Sequence, residues 1–71
     1  MNSIKLQQYP QRVMKSRTPK RLASTDGRVI DVWYSKDFST TYCSDVLCDG
    51  IVGKAKTLDK ALVALSCKLE G

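Results

Sequence analysis

The stretch YCSDVLCDG, residues 42–50, gathers two thiols and two carboxylates within nine residues. These are donor types that hold zinc or, for the thiols, close a disulfide. The spacing argues against both. On a strand, Cys43 and Cys48 lie at an odd offset and point to opposite faces, about 16 Å apart at roughly 3.3 Å per residue. A disulfide needs Cα atoms roughly 4.4 to 6.8 Å apart. On a helix the two would sit about 140° apart around the axis. Only a tight loop from Asp45 to Asp49 would bring the thiolates together, and zinc would then need two more ligands. The chain has no histidine, and its third cysteine, Cys67, falls in a remote helical segment. We therefore expect no metal and no cofactor. The thiols read as small apolar packing residues, and Asp45 and Asp49 as solvent-facing or turn-shaping.

Other chemistry is equally sparse. Without histidine, a general base near neutral pH would have to be a perturbed carboxylate or lysine. The seven carboxylates are scattered, with no pair set by a strong acid/base motif. DGIVGKAKT, residues 49–57, falls short of the phosphate-loop pattern, because Gly50 and Gly53 are too close and Ala55 follows Lys54. We expect a non-enzyme.

The charge is lopsided. The first 25 residues carry Lys5, Arg12, Lys15, Arg17, Lys20 and Arg21 and no acid; from Asp26 onward six basic residues face seven acidic ones. A basic leader thus precedes a body that is neutral on balance. Such asymmetry points to a polyanion, and its blander counterpart is a solvated tail.

The elements that would carry these residues follow from the pattern. Residues 1–19 show no sustained period, and Pro10 and Pro19 interrupt any long helix. They form a basic arm, either disordered or docked on the sheet, ahead of a single domain over 20–71. KRLAS, an Asp26-Gly27 turn and RVIDVWYSKD predict a hairpin. Ile30, Val32 and Tyr34 share the core face, and Val29, Asp31, Trp33 and Ser35 the other. FSTTYCSDV predicts a further strand in preference to a helix over 38–48, since its threonines and valine lose side-chain freedom in a helix. Asp49-Gly50 then turns the chain into IVGKA. KTLDKALVALSCKLEG predicts a helix capped by Thr57, with Asp59 in its first turn. Leu58, Ala61, Leu62, Leu65 and Leu69 form its buried stripe, and Val63 and Cys67 lie on the far side. The expected fold is α+β, a small three- to four-stranded antiparallel meander packed on one C-terminal helix.

This layout resembles, in element order alone, the amino-terminal arm-binding domains of phage integrases and small antitoxin domains. The expected partner is nucleic acid, DNA or RNA. Arg12, Lys15, Arg17, Lys20 and Arg21 would neutralise phosphates, and Trp33, opposite the helix, would stack on a base. The competing role for Trp33 is a second small core under Tyr9, Val13 and Met14. On the arm reading, deleting residues 1–19 removes binding and leaves the fold intact. The alternative is a phage- or plasmid-type accessory protein that docks on a host protein complex, with Trp33 as anchor. A free edge at Lys20 to Ser24 would then accept a partner strand or a second copy as a homodimer. No apolar run approaches the roughly 18 residues of a membrane span. The N-terminus also lacks a signal-like apolar core, so a cytoplasmic location is expected.

Overall fold

The computed structural model describes residues 4–8, 18–48 and 50–70. Four strands, β1 (Lys20–Ala23), β2 (Val29–Tyr34), β3 (Thr41–Asp45) and β4 (Val52–Ala55), precede one helix, α1 (Leu58–Glu70). The strands form an antiparallel sheet in the order β1-β2-β3-β4. The α+β meander expected from the pattern is the fold.

Local chemistry explains each joint. Gly27 adopts φ +90° in the β1–β2 turn and Gly50 φ +85° in the β3–β4 turn, backbone states that side chains disfavour. Thr57 caps the helix: its Oγ1 accepts from Lys60 N at 3.3 Å, and its carbonyl accepts from Ala61 N at 2.9 Å. Asp59 occupies the first turn and Lys68 the last, as the helix dipole favours. Lys68 Nζ also donates to Val52 O at 2.6 Å, tying the helix end to β4.

The core lies between the sheet and α1. Ile30, Val32, Tyr34 and Cys43 meet Ala61, Leu62 and Leu65, with Leu58 and Leu69 packed at the margin. Burying the larger apolar side chains contributes about 2 kcal/mol each. Two further members come from the leader. Ile4 is 6% exposed and Leu6 5%. Ile4 N donates to the buried Ser66 Oγ at 2.9 Å. Gln7 N donates to Ala23 O at 2.9 Å, Thr25 N donates to Lys5 O at 2.8 Å, and Leu6 bridges Ser24. The edge expected to be free at Lys20 to Ser24 is therefore occupied at its Ala23–Ser24 end by the chain's own residues. The physical reason is that an apolar-polar-apolar triplet, Ile4-Lys5-Leu6, fits one short extended pairing with both apolar side chains turned inward.

Asp45 also departs from expectation. It is 4% exposed and faces the helix side, opposite Ile30. A carboxylate so placed must be paired. Arg28 Nη1 donates to Asp45 Oδ2 at 2.7 Å, and Leu47 N donates to Asp45 Oδ1 at 3.0 Å. The same arginine contacts Asp26, whose carboxylate accepts from the buried Ser24 hydroxyl. Asp45 does shape its turn, but from inside.

The β2–β3 loop is tied by Asp37. Its Oδ1 accepts from the Ser39 hydroxyl at 2.7 Å, the Ser35 hydroxyl at 2.8 Å and Ser39 N at 3.1 Å. These bonds, the Ser39 hydroxyl foremost, hold its pKa down from 3.8 to about 2. Asp26 is lowered as well, chiefly by the Ser24 hydroxyl. A carboxyl lowered in the folded state stabilises the fold above its unfolded pKa, and that contribution disappears as pH falls through the folded value. The urea midpoint should therefore hold down to about pH 4 and fall between there and about pH 2. Asp37→Asn should flatten part of that decline, and an unchanged slope would deny the loop this role.

Candidate nucleic-acid interface

The alternation that buries Ile30, Val32 and Tyr34 sends Val29, Asp31 and Trp33 to the other face of the sheet, away from α1. Register then fixes their neighbours. Trp33 lies opposite Tyr42, and Tyr42 opposite Lys54. One row toward the turn at Gly27, Arg21 lies opposite Asp31, Asp31 opposite Ser44, and Ser44 opposite Val52. Trp33 and Tyr42 stack with ring centroids 5.7 Å apart and planes 8° apart, and both are half-buried. Cross-strand aromatic pairs of this type stabilise a sheet by roughly 0.2–1 kcal/mol. They also leave a flat polarisable surface.

The five residues expected to bind phosphate fall into three groups. Arg12, Lys15 and Arg17 lie outside the described residues, as do Tyr9, Val13 and Met14, the cover suggested for Trp33. Lys20 is exposed at the start of β1, and its register opposite Val32 directs it toward the helix side. Arg21 points to the Trp33 face. Its Nε donates to Asp31 Oδ1 at 3.1 Å, with the arginine side chain 66% exposed. An ion pair that wet contributes about 0–1 kcal/mol, so exchanging Asp31 for a phosphate costs Arg21 little. Arg28 differs, because its partner Asp45 is buried and releasing it would strand a charge.

Sequence reasoning missed Tyr42 and Lys54 as members of this face. Both are invisible until register is known, although alternation about Cys43 and Gly53 was a usable signal. It also missed a spatial bias. The body is nearly neutral in sum, but the sheet sorts its charges by end. Among the described residues, the end formed by the start of β1, the β2–β3 loop and the β4–α1 junction holds Lys20, Lys36, Lys54, Lys56 and Lys60 against Asp37 and Asp59, five cations against two anions. At the opposite end Lys5, Arg28 and Lys68 are matched by Asp26, Asp45 and Glu70 among the described residues. The Trp33–Tyr42–Lys54 row lies toward the basic end, where Thr18 leads into β1 from the leader.

The thiols play no part in this face. Cys43 is buried, and burial pushes its pKa up to about 12 against a backbone hydrogen bond from Gly53 that pulls it down. It is a packing residue rather than a nucleophile. Cys48 is half-buried and Cys67 exposed on the helix. Among the described residues, no three cysteine, aspartate or glutamate side chains gather where a metal ion could be held. No helix of the described residues is long and apolar enough to cross a membrane. Compared with protein-family models, with curated proteins and with solved structures, the chain matches none.

Proposed function

We propose that this chain is a small, non-catalytic, cytoplasmic nucleic-acid-binding protein. Its basic leader and the basic end of its sheet contact phosphates, and Trp33 contacts a base. The observation that carries this reading is the coincidence of an aromatic pair, a lysine in the same row and the leader's junction at one end of one sheet face. Cations supply the long-range, sequence-independent attraction, and ring faces supply a contact that polyanions other than nucleic acids lack. The exposed large apolar residues are spread over the surface, with Phe38 at the basic end of the sheet, Val29 and Leu47 at the other end and Val63 on the helix.

Trp33 is the only tryptophan, so its fluorescence reports on the site directly. Titration with an oligonucleotide should change that emission. The affinity should fall about 10³-fold between 50 and 200 mM salt if Arg12, Lys15, Arg17, Lys20, Arg21 and Lys54 all meet phosphates. Replacing Arg12, Lys15 and Arg17 by glutamine should lower the slope of log K against log salt by about 2 to 3. Absence of binding at low salt, or affinity indifferent to salt, would defeat the proposal. A nuclease-resistant protein partner recovered in its place would favour the accessory-protein alternative.

A further inference from the structure

We infer that the sheet face opposite α1 is a stacking platform for unpaired bases, so that the protein prefers single-stranded nucleic acid to duplex, with Tyr42 and Lys54 as contact residues beside Trp33. This rests on the nucleic-acid reading above and adds the class of strand.

Three features carry it. First, the ring geometry leaves room. Planes 8° apart with centroids 5.7 Å apart exceed the roughly 3.5–4.0 Å of direct face-to-face contact. The two rings are therefore not in tight face-to-face contact, and both remain partly exposed on the face opposite the helix. Bases in a duplex spend their faces on one another; only unpaired bases offer them to a side chain.

Second, the four-stranded sheet is too wide to enter the major groove of a duplex. A major groove about 12 Å wide admits a helix or a two-stranded ribbon. Four strands spaced about 4.8 Å apart span about 14 Å between outer strand axes before side chains are added.

Third, the charges give a single strand its path. One row away the carboxylate of Asp31 is half-buried, and its exposed partner Arg21 on β1 can exchange it for a phosphate at that edge of the face. Lys54 in the aromatic row, with Lys56 just beyond β4, favours a backbone that crosses the basic end. The bases of such a strand turn inward over Trp33 and Tyr42.

The full chain should be titrated with a short oligo-dT, an oligo-rU of equal length and a duplex of equal length, following Trp33 emission and anisotropy of a labelled strand. Single strands should bind about tenfold or more tightly than duplex, as expected when one base–aromatic stack is available to the first and not the second. Tyr42→Leu, which keeps an apolar residue on the strand, should weaken single-strand binding about tenfold without changing its salt slope. Tyr42→Phe, which retains the ring, should restore binding relative to Tyr42→Leu. Lys54→Gln should lower the single-strand salt slope by about 0.7. Circular dichroism of each variant separates lost contact from lost fold. Duplex binding equal to single-strand binding, or full affinity in a folded Tyr42→Leu protein, would overturn this inference while leaving the nucleic-acid reading standing. Failure of all three probes to bind would instead overturn the reading beneath it.

Discussion

Removal of residues 1–8 is expected to unfold the protein. The leader would be dispensable if it were only a charged arm, but two of its residues are core. Ile4 and Leu6 are buried to the same degree as Tyr34, and Ile4 N satisfies the buried Ser66 hydroxyl across 62 residues of sequence. Deleting them opens the space between the sheet and the helix C-terminal half. It also exposes the β1 edge at Ala23–Thr25 and leaves Ser66 without that partner. Truncating a buried leucine or isoleucine to alanine costs about 2 to 5 kcal/mol, so losing both removes about 4 to 10. A 71-residue domain at 0.05–0.15 kcal/mol per residue holds only about 4 to 10 in total. The two figures meet, and the truncated chain should show no cooperative unfolding transition. Single substitutions grade the effect. Ile4→Ala and Leu6→Ala should each lower stability by about 2 to 4 kcal/mol, and Lys5→Ala, exposed between them, by less than about 0.5. Equal, small effects at all three positions would show that the segment is not part of the core. For the same reason, the leader's role in binding has to be tested by neutralising Arg12, Lys15 and Arg17. Deleting residues 1–19 would confound lost contact with lost fold.

What could be read from the sequence divides along physical lines. Contacts specified within a few residues were legible. The Asp26-Gly27 turn, the alternation of Ile30, Val32 and Tyr34, the Thr57 cap and the leucine stripe of α1 each carry their own local pattern, and each stands as expected. Contacts that depend on register or on long loop closure were not. Ile4-Lys5-Leu6 is too short for its alternation to register as a strand, and its partners at Ser24 and Ser66 lie far along the chain. The stacking of Tyr42 on Trp33, and the place of Lys54 beside it, follow from which residues the β2–β3 and β3–β4 connections set opposite one another. The β2–β3 loop itself is unusual. Phe38 sits at φ 60°, a left-handed position where hairpins usually carry glycine, with its ring tilted against Tyr34 at 6.3 Å. The summed charge of the body likewise concealed its sorting by end. A sum has no coordinates, and the sites expected from it were confined to the leader, β1 and Trp33.

One overlooked signal was readable. A glycine inside a strand marks a place where another backbone comes close, and Gly53 stands in the middle of β4. It faces α1 from the strand next to buried Cys43. A methyl group built there would lie 2.5 Å from Ala61 O, 2.6 Å from Leu65 N and 2.8 Å from Leu65 Cα. Those atoms are helix backbone. They cannot rotate aside as a side-chain end would, so the helix itself must move off the sheet and open the contacts of Ala61 and Leu65. Overpacking usually costs about 1 to 3 kcal/mol, occasionally more, and Gly53→Ala should fall at or above the top of that range. Gly53→Val should leave no folded protein. Gly27→Ala is the instructive comparison. No atom lies within 4 Å of the methyl position, but φ is +90°. That change carries backbone strain alone and should cost about 1 to 2 kcal/mol. The two variants also differ in character. Loss at Gly53 should loosen α1, raising hydrogen exchange along Ala61–Ser66, whereas loss at Gly27 should leave helix protection in proportion to global stability. If Gly53→Ala proved as mild as Gly27→Ala, the helix would not rest on the strand backbone. The burial of Cys43, Leu62 and Leu65 beneath it would then need another cause.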